Sequence, residues 1–326
     1  MLTRRAFSQW SMAAVSQTAG MASALAQGYP DRPIKMIVGF PPGNAIDAVA
    51  RQIAKLMGDD LKQTVYVDNR PGAAGIISHE AVKNAAPDGY TVLMGSSATL
   101  AINPSLYRKL PYDPIRDFDP VVRISAGPLY LFTNTATPVK NLKEMIAYVK
   151  ARPGKVAYGT GGNGTTQHIA MEMLKKEAGI DMLHVPYKGS APMITDLIGG
   201  QVQFAFDAAP SVLPHGKDGR VRLLGISSEK RSAAMPDVPT IAEQGLPGFE
   251  AVAWLALLAP KGTPPAVIER LNALANKALK SPEIVAQTAL TGSTTAGGTP
   301  AELQAFLKSE MLRWGQAVKD SGAQVD

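Results

Sequence analysis

Cysteine is absent from the sequence, which excludes disulfides, thiolate metal sites and cysteine nucleophiles together. Stability must come from packing alone. A chain without thiols suits an oxidising compartment, where it cannot mispair, though the absence does not by itself place it there. Charged residues are few, at 18% against 45% hydrophobic, as in an ordered globular protein. Histidine occurs four times, at His79, His168, His184 and His215, without HExxH or any similar spacing, so neither a metal nor a cofactor is expected. No GK[ST] follows a glycine loop, which excludes a P-loop. Neither Gly95-Ser96-Ser97 nor Gly225-Ile226-Ser227 forms the GxSxG elbow of a hydrolase, and with no other catalytic apparatus visible the chain reads as a non-enzyme. Basic residues are scattered without runs or interleaved aromatics, which argues against a nucleic-acid groove.

Long apolar runs are also missing: no stretch approaches the ~20 residues that cross a bilayer. The first 26 residues read instead as an export signal. Arg4-Arg5 lie in a basic start, a mildly apolar run spans Trp10 to Ala22, and Ala24-Leu25-Ala26 offers a cleavage site. The arginine pair in Thr3-Arg4-Arg5-Ala6-Phe7 resembles a twin-arginine signal, with general secretion as the other route. Cleavage after Ala26 removes two cations and no acid, taking the formal charge from +6 to +4. A periplasmic location is expected.

What is present is an alternation of strand and helix. Ile34 to Val38 is a short apolar run bounded by Pro33 and by Gly39-Phe40-Pro41-Pro42-Gly43, and reads as a buried strand. Ile46, Val49, Ala50, Ile53, Ala54 and Met57 recur at helical spacing, with Gly58 at the end of the run. Val65 to Val67, Ile76 to Asn84 and Tyr90 to Met94 continue the pattern, which predicts a parallel sheet covered on both faces. A second unit follows, with a helix at Leu142 to Ala151, a strand at Val156 to Tyr158, a helix at Gln167 to Ala178 and a strand at Leu183 to Val185. Ala126 to Thr133 and Val252 to Leu258 are extended apolar segments that read as crossing strands. The expected fold is therefore α/β: a first lobe of residues 27–128 plus 250–326, a second lobe of 129–249 inserted between, and a ligand cleft between them.

Two loops carry the chemistry. In Phe40-Pro41-Pro42-Gly43-Asn44-Ala45-Ile46-Asp47 a strand's carboxyl end turns into a helix. The free N–H groups there suit an anion, helped by the helix dipole and without needing a cation. Asp47 either contacts the ligand or bonds nearby backbone N–H groups. Tyr158-Gly159-Thr160-Gly161-Gly162-Asn163-Gly164-Thr165-Thr166-Gln167-His168 repeats the device. It contains a formal GxGxxG, but no acid ends the next strand as a dinucleotide site requires. The remaining readings are an oxyanion-accepting nest, with Thr160, Thr165 and Thr166 as hydroxyl donors, or a glycine turn with capping threonines. His168 either borders the ligand or packs locally. Asp207, at the end of Phe204-Ala205-Phe206, either accepts from a ligand amine or hydroxyl or caps the following helix.

The mature chain resembles the Bug-type, or tripartite tricarboxylate transporter, substrate-binding receptors. The resemblance rests on Tyr29-Pro30-Asp31-Arg32-Pro33, Phe40-Pro41-Pro42-Gly43 through Asp47, Asn69-Arg70-Pro71-Gly72, Ala86-Pro87-Asp88-Gly89-Tyr90, Leu110-Pro111-Tyr112-Asp113, Val185-Pro186-Tyr187-Lys188-Gly189 and Asp237-Val238-Pro239-Thr240. It implies a type II periplasmic-binding-protein fold, a hinged receptor whose two lobes hold a small carboxylate. The implied contacts are Phe40, Gly43, Asn44, Ala45 and Asp47 in the first loop, Thr160, Gly162, Gly164, Thr165, Thr166 and His168 in the second, and Ser96, Ser97, Thr99, Tyr187 and Asp207 beside them. It further implies a monomer that meets the membrane subunits of a transporter; a signalling partner, or an enzyme on the same fold, are the alternatives. Asn44 stands where relatives usually show a second glycine, and Ala208 where they often show Asn.

Overall fold

The computed structural model describes residues 28–290 and 292–323, so the export segment lies outside the described residues. β1 (Ile34–Val38) leads into α1 (Ala45–Leu61), followed by β2 (Val65–Asn69), α2 (Ile76–Lys83) and β3 (Thr91–Ser96). Ile34, Met36 and Val38 of β1 pack with Ile53 and Met57 of α1, whereas Ile37 joins Leu93 on the other side of the sheet. Burial on both faces is what makes the strand read as a continuous apolar run. The helix passes Gly58 and ends three residues later, where Lys62 takes the left-handed conformation with φ 53°. Gly58 serves packing rather than termination, since a Cβ there would lie 2.9 Å from the Gln63 carbonyl.

After β3 come a wide turn, Ala98–Ile102, and the short α3 (Asn103–Leu106), and then β4 (Phe118–Asn134), a strand of 17 residues. The next unit is α4 (Leu142–Lys150), β5 (Ala157–Thr160), α5 (Thr166–Ala178), β6 (Leu183–Pro186), α6 (Ser190–Ile198), β7 (Phe204–Ala208), α7 (Ala209–Lys217) and β8 (Val221–Ile226). β9 (Val252–Pro260), α8 (Pro265–Leu279), α9 (Pro282–Leu290), β10 (Thr294–Gly297) and α10 (Pro300–Ser321) complete the described chain. A reciprocal capping box between Thr299 and Glu302 starts α10, with Pro300 in its first turn and left-handed Gly322 at its end.

The strands form two sheets that share β4. The first runs β2-β1-β3-β9-β4-β10 and the second β8-β4-β7-β5-β6. β1, β2 and β3 are parallel, as are β5, β6 and β7, while β4, β8, β9 and β10 enter antiparallel. Both sheets are therefore mixed, parallel among the βαβ strands and antiparallel at every pairing that β4, β8, β9 and β10 make. β4 changes partner between Pro128, paired with Val252 of β9, and Leu129, paired with Ala208 of β7. Among the described residues β9 pairs only with β3 and β4, so Val252–Leu258 stays in the first sheet and the second crossing lies just before it. Ser227 ties the two crossings together. Its hydroxyl accepts from the Leu129 N–H at 2.8 Å and donates to the Ala251 carbonyl at 2.6 Å.

Candidate functional site

The first loop is held by its own polar groups. The Asn44 side chain accepts from the Asp47 N–H at 2.8 Å and caps α1. Asp47, only 3% exposed, accepts from the Gly43 N–H (2.9 Å), Arg51 Nε (3.0 Å) and Asn69 Nδ2 (2.8 Å). Asn69 also donates to the Phe40 carbonyl at 3.0 Å. Of the two roles open to Asp47, the geometry is that of the structural one: its oxygens fix the loop. The N–H groups of Ala45 and Ile46, in the first turn of α1, have no partner among the described residues.

Burial alone would raise the Asp47 carboxyl, but the bonds from Arg51, Gly43 and Asn69 outweigh it and hold it below the ordinary carboxylate range. A lowered carboxyl contributes stability that is complete above about pH 4 and is lost as pH falls through its folded value. Asp47→Asn is accordingly expected to be less stable than the wild type at pH 7, with the gap narrowing steadily on acidification to pH 3. Urea unfolding at the two pH values checks this, and a gap independent of pH would contradict it.

The second loop repeats the scheme with hydroxyls. Thr165 caps α5, accepting from the His168 N–H and donating to the Gly162 carbonyl at 2.9 Å. Thr160 lies 2.7 Å from His184 Nε2 and accepts from the Gly162 N–H at 3.2 Å. The Gly164 N–H donates to His168 Nδ1 at 3.2 Å. His168 and His184 stack at 4.0 Å, with Tyr158 4.9 Å from His184. Burial lowers both histidines, His184 to about 3, so the imidazoles are neutral and brace the loop as dipoles. The N–H groups of Thr166 and Gln167 are left without partners among the described residues, as at the start of α1.

Of the neighbouring residues, Ser96 and Thr99 bond each other at 3.3 Å, and Tyr187 donates to Asp196 at 2.9 Å, so their hydroxyls serve local structure. Ser97 differs. Its hydroxyl meets that of Thr166 at 3.0 Å, joining the end of β3 to the start of α5, and accepts from the Trp254 N–H at 3.5 Å. Asp207 is 1% exposed; its Oδ1 accepts from the Ala208 N–H (2.7 Å) and from Gln167 Nε2 (3.2 Å). Gln167, absent from the expected contacts, thus links the second loop to Asp207. Its signal in the sequence is its place in the first turn of α5. A cavity of about 130 Å³ walled by Ala45, Ala48, Ser125, Pro210 and Ile284 sets the start of α1 opposite the start of α7. No Lys or Arg occurs in residues 39–47, 95–99, 158–168 or 204–210. The two loops thus present helix starts from both sheets, with amides and hydroxyls but no cation of their own; Arg51, beside the first, is bound to Asp47 and Asn69.

The model of the tripartite tricarboxylate transporter family receptor matches residues 49–323. The chain belongs to that receptor family. Protein BugT of Bordetella pertussis is 42% identical over 310 residues, 94% of this chain and 95% of its own. Among solved structures, R. palustris Rpa4515 with adipate superposes with a TM-score of 0.86 at 34% identity, covering 90% of this chain and 98% of that one. The periplasmic binding protein BugD gives 0.84 at 34% identity, with 91% and 99% covered. The fold is thus the two-unit α/β fold of this receptor family, as the sequence motifs implied. No helix among the described residues is long and apolar enough to cross a membrane.

Proposed function

We propose that this chain is an extracytoplasmic solute-binding receptor, exported by its N-terminal signal, that captures a small carboxylate and presents it to the membrane subunits of a tripartite tricarboxylate transporter. The observation that carries the reading is the pair of unbonded amide groups at the start of α1 and again at the start of α5, in loops that carry no Lys or Arg of their own. Such groups with the positive ends of two helix dipoles favour an anion. The lobes in this reading are 27–128 plus 250–326 and 129–249, and support comes from the partner change of β4 at Pro128/Leu129. The Ser97–Thr166 bond joins the lobes when closed, so a ligand that touches both loops shifts the hinge toward closure. Binding and release need no bond-making, and no residue here is assigned a catalytic role. Rpa4515, which carries adipate, supports a carboxylate as the ligand class.

Calorimetry against acetate, succinate, malate, adipate, citrate and benzoate tests the proposal. At least one is expected to bind at micromolar concentration or below, with closure visible as a smaller radius in X-ray scattering. Failure of the whole panel would overturn the carboxylate assignment.

A further inference from the structure

Asp207 is a buried acid for which the structure provides no counter-charge. Oδ1 is saturated by two N–H donors, from Ala208 and Gln167, and so cannot carry a proton. Oδ2 is buried and has no hydrogen-bond partner among the described residues; the Ser190 hydroxyl lies near the carboxyl, yet makes no bond of normal geometry to it. The groups that face it are neutral. β4 presents Tyr130 directly opposite in register, a phenol that burial raises; α5 presents Gln167, α6 Ser190, and α7 the Ala208 backbone. His168, the nearest imidazole in sequence to Gln167, is turned toward Gly164 and His184 and is itself neutral. An ionised Asp207 would be an uncompensated buried charge beside a ligand that is itself an anion, and two carboxylates in one water-poor site do not both ionise.

We infer that Asp207 is a neutral acid whose Oδ2–H donates a hydrogen bond to the carboxylate of the bound ligand, so that a proton is part of the binding site. This rests on the receptor reading above and adds to it that capture is coupled to protonation. Burial already raises the acid, and a bound anion raises it further. The sign follows. Below the acid's own titration in the free receptor the proton is in place and affinity is flat. Above it, binding must take a proton from the buffer, and affinity falls about tenfold per pH unit until the value in the complex is reached.

The test has two arms. First, affinity for adipate, or for whichever member of the carboxylate panel binds best, is measured between pH 5 and pH 9 in buffers of differing ionisation enthalpy. The wild type is expected to weaken with rising pH and to take up close to one proton on binding. Asp207→Asn, which keeps a permanent N–H donor in that position, is expected to bind within a few-fold of the low-pH wild type with no pH dependence. The opposite pattern, a wild type insensitive to pH and an Asn variant that no longer binds, would overturn the inference and make Asp207 an ionised acceptor for a ligand amine or hydroxyl. Second, infrared spectroscopy of unmodified protein labelled with carbon-13 aspartate needs neither variant nor ligand. A protonated carboxylic-acid band is expected at pH 5 and is expected to disappear over the pH range in which wild-type affinity falls; its absence at pH 5 overturns the proposal. If no carboxylate binds while that band is present, the receptor reading fails and the neutral Asp207 stands.

Discussion

Gly164→Val is expected to weaken carboxylate binding ten- to a hundredfold while costing the folded receptor no more stability than the same change at Gly154. Gly164 sits in the second loop with φ +72°, and a Cβ there would lie 2.4 Å from Leu106 Cδ2. Leu106 ends α3, in the helical layer of the first sheet, and is almost completely buried. The collision is therefore between the two halves rather than within either. A valine in a left-handed backbone costs roughly 1–2 kcal/mol in the open and closed states alike, so only the overpacking against Leu106, about 1–3 kcal/mol, bears on affinity. A hundredfold in affinity corresponds to about 2.8 kcal/mol, so the expected loss is ten- to a hundredfold. An open receptor escapes the clash, so the loss falls on closure and not on folding. Gly154→Val is the control, since Gly154 has a similar φ of +67° with nothing within 4 Å of the added Cβ. The control should bind normally. Calorimetry with adipate and thermal unfolding decide between them, and a Gly164→Val protein that binds like wild type would place this loop outside the closing surface.

Why the loops were visible in the sequence, and their chemistry only partly, follows from which interactions are local. A strand end, glycines and an apolar helical run occupy consecutive positions, so Gly43 to Asp47 and Gly159 to His168 could be found by pattern. The role of Asp47 could not, because it depends on Asn69, 22 residues away across a strand pairing. Gln167 and Asp207 lie 40 residues apart and Ser97 and Thr166 lie 69 apart, and only the packed sheets bring them together. β4 was legible only over its C-terminal half, Ala126 to Thr133. Pro120 interrupts the apolar pattern before it, and is accommodated by a register shift in the ladder to β9 that frees the strand from regular pairing there. β9 shows the converse. Its run of apolar residues looked like a crossing strand because a strand buried between β3 and β4 has the same composition.

Glu310→Ala should have the largest effect on stability, a loss of about 3 kcal/mol. Glu310 lies on α10 at 7% exposure and accepts from two indoles, Trp254 Nε1 at 2.6 Å and Trp314 Nε1 at 3.0 Å, and from Arg313 at 2.8 and 2.9 Å. Removing it leaves two buried N–H donors unpaired, at roughly 1–3 kcal/mol each. Arg313, about one-third exposed, can turn to water and contributes less. Both indoles donate to the same Glu310 oxygen, so the one amide oxygen of Glu310→Gln can still serve them and that variant should lose less than half as much. The effect reaches the ligand site through Trp254, whose indole Glu310 anchors and whose backbone N–H binds the same Ser97 hydroxyl that meets Thr166. A loosened Trp254 therefore weakens the contact between the halves, and Glu310→Ala should bind adipate several-fold less tightly even under conditions where it is fully folded. Urea unfolding followed by tryptophan fluorescence reads the first effect and calorimetry the second. A loss below 1 kcal/mol would mean that water replaces the carboxylate between the two indoles, and that the helix is held by its apolar face of Leu303, Leu307 and Trp314 alone.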